Sequence, residues 1–212
     1  LTAANANSTK NVRRRQPEQV RERILAAALS VFAARGFDGA TMQLIATQSG
    51  ASLPLIVYHF KSKEKLWQAV IENTVAHFDA LIEKATQKNN GHTATEQLKD
   101  VIEAIVRVSV ALPEFRRILE TESYTMTPRL QWIGDNFARR HHKIITGLIK
   151  KAQDERQVVN VEPHRLSYMI TGMATNSSNG AEYQYLTGLD PSSNEEVEGC
   201  IQAINKLVFI AD

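Results

Sequence analysis

Cysteine, aromatic side chains and long uncharged apolar runs are all scarce in this sequence. Cys200 is the single cysteine among 212 residues, so it can close no internal disulfide and cannot anchor a cysteine-based zinc site. Secreted disulfide scaffolds are thereby excluded, and a cytoplasmic, reducing setting is expected. The one uncharged run long enough to span a bilayer, Gly39 to Phe60, contains Gln43, Thr47, Gln48, Ser49, Gly50, Ser52 and Pro54. Those residues are costly in hydrocarbon, so neither a membrane span nor a membrane partner is expected. Arg13, Arg14 and Arg15 are followed by charged Glu18, Arg21, Glu22 and Arg23 rather than by an apolar stretch, which is not the pattern of a signal peptide. Hydrophobic residues at 43% and charged residues at 23% match ordinary globular proteins and exclude a disordered chain.

Net charge is only +2, but it is unevenly spread. Lys10 to Lys65 carries ten basic and four acidic residues, whereas the remainder carries 15 basic and 19 acidic. A basic front joined to an acidic body suggests a polyanion-binding module on a domain with another task; a merely solvated basic arm is the competing reading.

Residues 1–16 are small, polar and basic without apolar periodicity and are expected to form a flexible arm. From Pro17, the spacing of Val20, Ile24, Ala27, Ala28, Val31 and Phe32 predicts a helix that ends at Gly36. Thr41 is placed to cap a short helix, Met42 to Gln48, with Leu44 and Ile45 facing inward. Ser49-Gly50-Ala51 breaks the chain, and Ser52 is placed to cap a third short helix through His59, where Pro54 is tolerated in the first turn. Ser62 is placed to cap a long fourth helix. Thr93 and Glu96 form a capping-box pattern for a helix to about Ala111. Pro113 starts another segment. Thr127-Pro128 opens a helix that could reach Arg156, Pro163 opens one to about Thr187, and Ser192 with Glu195 is expected to cap the last. No strand-like alternation persists, so the fold class is all-α with about nine helices.

Three short helices with a glycine before the third form a helix-turn-helix pattern, in which the third would lie in the major groove. Its flanks make the pattern more specific. Ile24-Leu25-Ala26-Ala27-Ala28, Phe32-Ala33-Ala34-Arg35-Gly36-Phe37, Thr41, Ile45-Ala46, Ser49-Gly50-Ala51-Ser52 and Tyr58-His59-Phe60-Lys61-Ser62-Lys63-Glu64-Lys65-Leu66 occur in order. Together they closely resemble the DNA-binding domain of the TetR family of transcriptional regulators. The resemblance covers about a quarter of the chain. It implies a DNA-binding domain at 17–62, followed at 63–212 by a helical effector-binding and dimerisation domain. The stretch Thr127 to Gly188 is distantly similar to the pyrimidine-responsive branch of that family.

By that resemblance and by their chemistry, Thr41, Tyr58, His59, Lys61 and Lys63 are expected to hold DNA phosphates. Base reading would fall to Gln43, Ser52, Leu53, Pro54 and Leu55. The side chains of Leu53, Pro54 and Leu55 cannot hydrogen-bond a base edge, so they would act through thymine methyl groups or DNA shape. Val57 departs from the family, which usually places a tyrosine there. Arg13 to Arg15 could enter an adjacent minor groove or serve only as a solubilising tail.

The expected partners are a double-stranded operator, a small-molecule effector of unknown identity and a second copy of the chain, since a two-fold operator needs two recognition helices. Gly172, Ala174, Ser177, Ser178, Ile201, Ile204 and Val208 are the candidate dimer seam, although packing within one subunit would explain them too. Phe115, Tyr124, Trp132, Asn136, His141, Tyr168, Met173 and Asn176 are candidate effector contacts. Adjacent His141 and His142 point to different sides of a helix and cannot chelate one metal, and Cys200 has no histidine near it in sequence. No catalytic group, metal or cofactor is therefore expected. The implied function is a ligand-responsive transcriptional regulator, most simply a repressor. The alternative is a helical protein-interaction module that has lost operator binding.

Overall fold

The structure, a computed structural model, describes residues 3–87, 93–176 and 180–210. Helices α1 (Ala3–Gly39), α2 (Met42–Ser49), α3 (Leu53–Phe60) and α4 (Lys63–Gln87) come first. They are followed by α5 (Ala94–Ala111), α6 (Pro113–Ser123), α7 (Pro128–Ile133), α8 (Arg139–Asp154), α9 (Pro163–Asn176), α10 (Gly180–Thr187) and α11 (Asn194–Val208). A π-helical segment, Gly134–Ala138, joins α7 to α8. The only β pairing among the described residues is an isolated bridge between Val158 and Phe209. The fold is thus all-α, with a helix-turn-helix domain followed by a larger helical body.

Several boundaries differ from the sequence expectation, each for a local reason. The 1–16 arm is not separate: α1 begins at Ala3 and runs through Pro17, with alanine, lysine, arginine and glutamine favouring helix and no glycine intervening. Gly36, at φ 66° and ψ 177°, breaks the helical backbone where a stop was expected. The helix expected from Pro128 to Arg156 is α7, the π segment and α8 in succession. The one expected from Pro163 to Thr187 is α9 and α10. Ser193, not Ser192, caps α11 by accepting from Glu196 N–H at 3.3 Å. Ser192 instead donates its own N–H to Asp190 Oδ1 at 2.9 Å, an Asx turn that shifts the cap by one residue.

The chain divides into two compact units, 1–74 and 75–212, so the boundary falls inside α4 rather than before it. Leu66, Trp67, Val70 and Ile71 at the front of α4 are fully buried in the first unit, along with Ile24, Phe32, Ile45 and Ile56.

The second unit has a core built from amphipathic stripes. These are Leu98, Val101, Ile102, Ile105 and Val106 on α5; Ile145, Leu148 and Ile149 on α8; Leu166, Ile170 and Ala174 on α9; and Val197, Ile201, Ile204 and Val208 on α11. Each such aliphatic side chain contributes about 1.5–3 kcal/mol by leaving water. Ala174, Ile201, Ile204 and Val208 are therefore core residues rather than a seam between subunits: α11 has a single apolar stripe, and the protomer interior uses it. Of the other expected seam residues, Gly172 is exposed on α9, and Ser177 and Ser178 lie outside the described residues.

Candidate functional site

The first unit presents a helix-turn-helix built from local rules. Thr41 caps α2, its hydroxyl accepting from Leu44 N–H at 3.1 Å. Gly50 ends α2 in the left-handed region, φ 64° and ψ 20°, where a side chain would be strained. Buried Ser49 secures the turn by donating to Ala46 O at 3.2 Å and accepting from Ala51 N–H at 3.3 Å. Ile45 and Ala46 on α2 and Ile56 and Phe60 on α3 then face the core. Leu44, expected to face inward, is exposed instead.

That packing fixes what α3 turns outward. Ser52, Pro54, Val57, Tyr58 and Lys61 are exposed, Leu53, Leu55 and His59 half-buried; on α2, Thr41 and Gln43 are exposed. Tyr58 is 71% exposed, and its ring packs edge-on against His59, with centroids 5.4 Å apart. Lys61 follows α3 at φ 69°, ψ −50°, while Ser62 N–H donates across it to Phe60 O at 2.8 Å. This is a positive-φ γ-turn, rare and strained for a residue other than glycine. It ends α3 abruptly and holds the Lys61 ammonium 3.1 Å from Tyr58 O and 5.5 Å from the Tyr58 ring centroid.

Lys63 is placed differently from the other expected phosphate contacts. Its ammonium donates to Phe37 O at 2.8 Å and Ala40 O at 3.0 Å and lies 4.4 Å from the Phe37 ring centroid. It therefore ties the start of α4 to the end of α1, with two of its hydrogens engaged inside the protein.

In the second unit, a cavity of about 170 Å³ opens among α4 to α9. Val75, Phe78, Ile105, Val108, Leu112, Phe115, Leu119, Ile133, Phe137 and Ala138 supply its carbon walls; Ser109, Arg116, His141, Thr171 and Thr175 are its polar residues. The π segment contributes Phe137 and Ala138, and such segments commonly mark functional sites because they re-aim side chains within a continuous helix.

Of the expected effector contacts, Phe115 and His141 line this cavity. Tyr124 and Tyr168 are corrected to surface residues at 80% and 74% exposure, since they sit on the solvent sides of their elements. Asn136 is also exposed, its amide donating to Trp132 O at 2.8 Å. Trp132 packs edge-on against Phe137 behind the wall, Met173 packs against the core, and the Asn176 side chain lies outside the described residues.

His141 is held from one side by Asp79, with Nε2 2.6 Å from Oδ1, and packs edge-on against Phe78 at 5.0 Å. Arg140 also pairs with Asp79. Burial pushes the Asp79 carboxyl up, but hydrogen bonds and charge from His141 and Arg140 outweigh it and leave the group below its ordinary value. A second ion pair, Arg129 Nε to buried Glu122 Oε1 at 2.8 Å, locks the α6–α7 corner, where Thr127 also bonds Glu122 at 3.3 Å. Among the described residues, no cluster of three or more His, Cys, Asp or Glu could hold a metal ion, and no helix is long and apolar enough to cross a membrane.

Comparison with known proteins places this geometry. Residues 24–70 match the family described as bacterial regulatory proteins, tetR family. The chain is 34% identical over 112 residues to the HTH-type transcriptional repressor NicS of Pseudomonas putida, spanning 53% of this chain and about half, 52%, of NicS. It is 29% identical over 169 residues to the HTH-type transcriptional regulator RutR of Escherichia coli, covering 78% of this chain and 76% of RutR. A bacterial regulatory protein in the TetR family from Rhodococcus RHA1 has the same fold at a TM-score of 0.73 and 22% identity, with 91% of this chain and 98% of that one superposed. Family match, relatives and fold agree with the capped helix-turn-helix on its helical body: residues 24–70 match the TetR-family model, and over most of its length the chain is similar to HTH-type transcriptional regulators and shares the fold of a TetR-family protein.

Proposed function

We propose that this protein is a ligand-responsive, sequence-specific DNA-binding regulator that acts as a homodimer, most simply a repressor that leaves a palindromic operator when a small molecule enters the helical body. The observation that carries this reading is the outward face of α3. Pro54, Val57, Tyr58 and Lys61 stand exposed beside Thr41 and Gln43 of α2, while Ile56 and Phe60 hold the helix from behind. Thr41, Tyr58, His59 and Lys61 contact the sugar-phosphate backbone, and Gln43 with Ser52 to Leu55 reads the groove. Lys63 braces the domain from within.

Release proceeds by population shift. Helix α4 is continuous from Lys63 to Gln87; Leu66 and Trp67 belong to the DNA-binding unit, and Val75 and Phe78 line the cavity. A ligand that favours one placement of Val75 and Phe78 thereby biases the helix that carries the DNA-binding unit. A useful regulator needs a coupling of about 1–3 kcal/mol between the two events.

The test is binding to duplexes selected by the protein from a random pool, followed across a salt series. Affinity is expected to fall steeply with salt, each neutralised phosphate adding about −0.9 to the log–log slope. Lys61→Ala should weaken all duplexes alike, whereas Gln43→Ala and Pro54→Ala should reorder preference among them. A flat salt response, or reordered preference in Lys61→Ala with affinity intact, would overturn the assignment and favour a protein-docking helical module.

A further inference from the structure

We infer that the cavity in the helical body takes a compact monoanion, a carboxylate on a hydrocarbon body of about one ring, with Arg116 receiving the carboxylate. This rests on the reading above that the body receives an effector, and it names the chemical class. Volume sets the hydrocarbon part. A cavity of about 170 Å³ is close to the roughly 150 Å³ apolar cavity that accommodates benzene in another protein. Phe78, Phe115 and Phe137 supply three aromatic rings to its wall, from α4, α6 and the π segment. Such rings favour offset or edge-on contact with another ring.

Charge sets the head group. Arg116 and His141 line the cavity, and among the described residues that line it none is Asp or Glu. Both basic side chains have an acidic partner, but in each pair the acid is the wetter member. The Arg116 side chain is 17% exposed against 48% for Glu120, whose Oε2 its Nη1 meets at 3.1 Å. The His141 side chain is 15% exposed against 33% for Asp79, whose Oδ1 lies 2.6 Å from Nε2. Water therefore screens the carboxylates more than the cations, and the cavity keeps a positive wall. Hydrogen bonding points the same way. The Ser109, Thr171 and Thr175 hydroxyls donate to Ile105 O, Ser167 O and Thr171 O at 2.8, 2.9 and 2.9 Å, so their protons stay on their own helices. The donors that a carboxylate needs come instead from the planar fork of the guanidinium and from Nδ1 of a protonated His141. Arg116 Nε is itself buried. A carboxylate that reaches this fork exchanges its water for charge-assisted bonds, whereas a plain hydrocarbon strips water from the guanidinium and returns nothing. An ammonium group meets like charge.

The probes are benzoate, toluene and benzylamine, which share a ring and differ in charge, added to the full chain in calorimetric titration and thermal unfolding. Benzoate at ten times its dissociation constant is expected to raise the unfolding midpoint by about 4 °C, and the other two at the same concentration to leave it unchanged. Arg116→Leu should weaken benzoate by roughly tenfold or more and admit toluene, a gain that loss of structure alone would not produce. Should that variant fail to fold, Glu120→Gln takes its place: without the competing carboxylate, benzoate should bind several-fold more tightly, and an unchanged affinity overturns the role of Arg116. Toluene or benzylamine binding as tightly as benzoate overturns the inference, as does binding of none of the three, or benzoate held undiminished by a folded Arg116→Leu chain. Fraction bound to the selected duplex is read in parallel. Benzoate binding without loss of DNA supports the ligand class and refutes the regulatory reading; release by toluene or benzylamine alone does the reverse.

Discussion

Lys63 illustrates how one side chain can look like a ligand contact and serve as a brace. Its position just beyond the recognition helix and within a basic run points to phosphate, yet its ammonium bridges two carbonyls at the end of α1. The partners lie 26 and 23 residues back in the chain, so no local pattern around Lys63 announces them. Removing a charged donor from two buried-side acceptors costs about 2 kcal/mol. Lys63→Met is therefore expected to lower unfolding free energy by that amount in urea, with DNA affinity per folded molecule reduced far less than in Lys61→Ala. Equal stability to the parent chain would show that the bridge contributes nothing. The exposed recognition residues were easier to read, because a short helix with Ile56 and Phe60 buried leaves the intervening positions no other side to face, even though Ser52 at its start makes no side-chain cap bond.

At the scale of an element, the start of α5 shows a cap assembled from two distant places. Thr93 and Glu96 form the capping box that their spacing signals, with Thr93 N–H donating to Glu96 Oε2 at 2.8 Å and Glu96 N–H to Thr93 Oγ1 at 3.2 Å. Glu155, which follows α8, adds a second acceptor, taking the Thr95 hydroxyl at 2.5 Å and the Ala94 and Thr95 N–H groups at 2.9 and 3.1 Å. The Thr95 hydroxyl pulls the Glu155 carboxyl down most strongly; burial opposes it, and the Ala94 and Thr95 N–H groups add to the pull, so the group lies below its ordinary value of 4.5. A depressed carboxyl stabilises the fold fully above that ordinary value, and the contribution disappears as pH falls through the lower folded-state value. Glu155→Gln is thus expected to cost about 1 kcal/mol at pH 7, with the two chains converging in acid. A difference that persists unchanged in acid would remove the charge from the explanation.

Helix caps and stripes of this sort made most elements legible. What escaped were features with no periodic signature: the π segment between α7 and α8, and the Asx turn that moves the α11 cap to Ser193. The cavity was half legible for the same reason. Phe115 and His141 drew attention as unusual residues on long helices, but Ile105, Val108 and Ile133 look like core in any sequence, and only the packing reveals that they surround space.

For the whole molecule, the proposed pairing raises the question of which surface a second copy would cover. Ala174, Ile201, Ile204 and Val208 cannot form a seam because the protomer's own core claims them, leaving the opposite positions of α9 and α11, Gly172 among them, outward. The exposed side mixes apolar and polar residues: Leu207 at 65% and Tyr168 at 74%, with Met169 and Gly172 on α9 and Ala203 on α11 also exposed, beside Arg165 and Thr171 on α9 and Gln202 and Lys206 on α11. A two-fold operator demands recognition helices about 34 Å apart, a separation that one protomer cannot supply. A pair joined through α9 and α11 would take these apolar side chains out of water. Leu207→Glu puts a charge on this face without disturbing the buried stripe beneath it, so protomer stability should change by less than about 0.5 kcal/mol. Light scattering is expected to report a pair for the parent and a single chain for the variant, and affinity for a two-half-site duplex should fall to that for one half-site. A Leu207→Glu protein that remains paired would move the interface elsewhere, with Tyr185 and Leu186 of α10, both strongly exposed, as the next surface to charge.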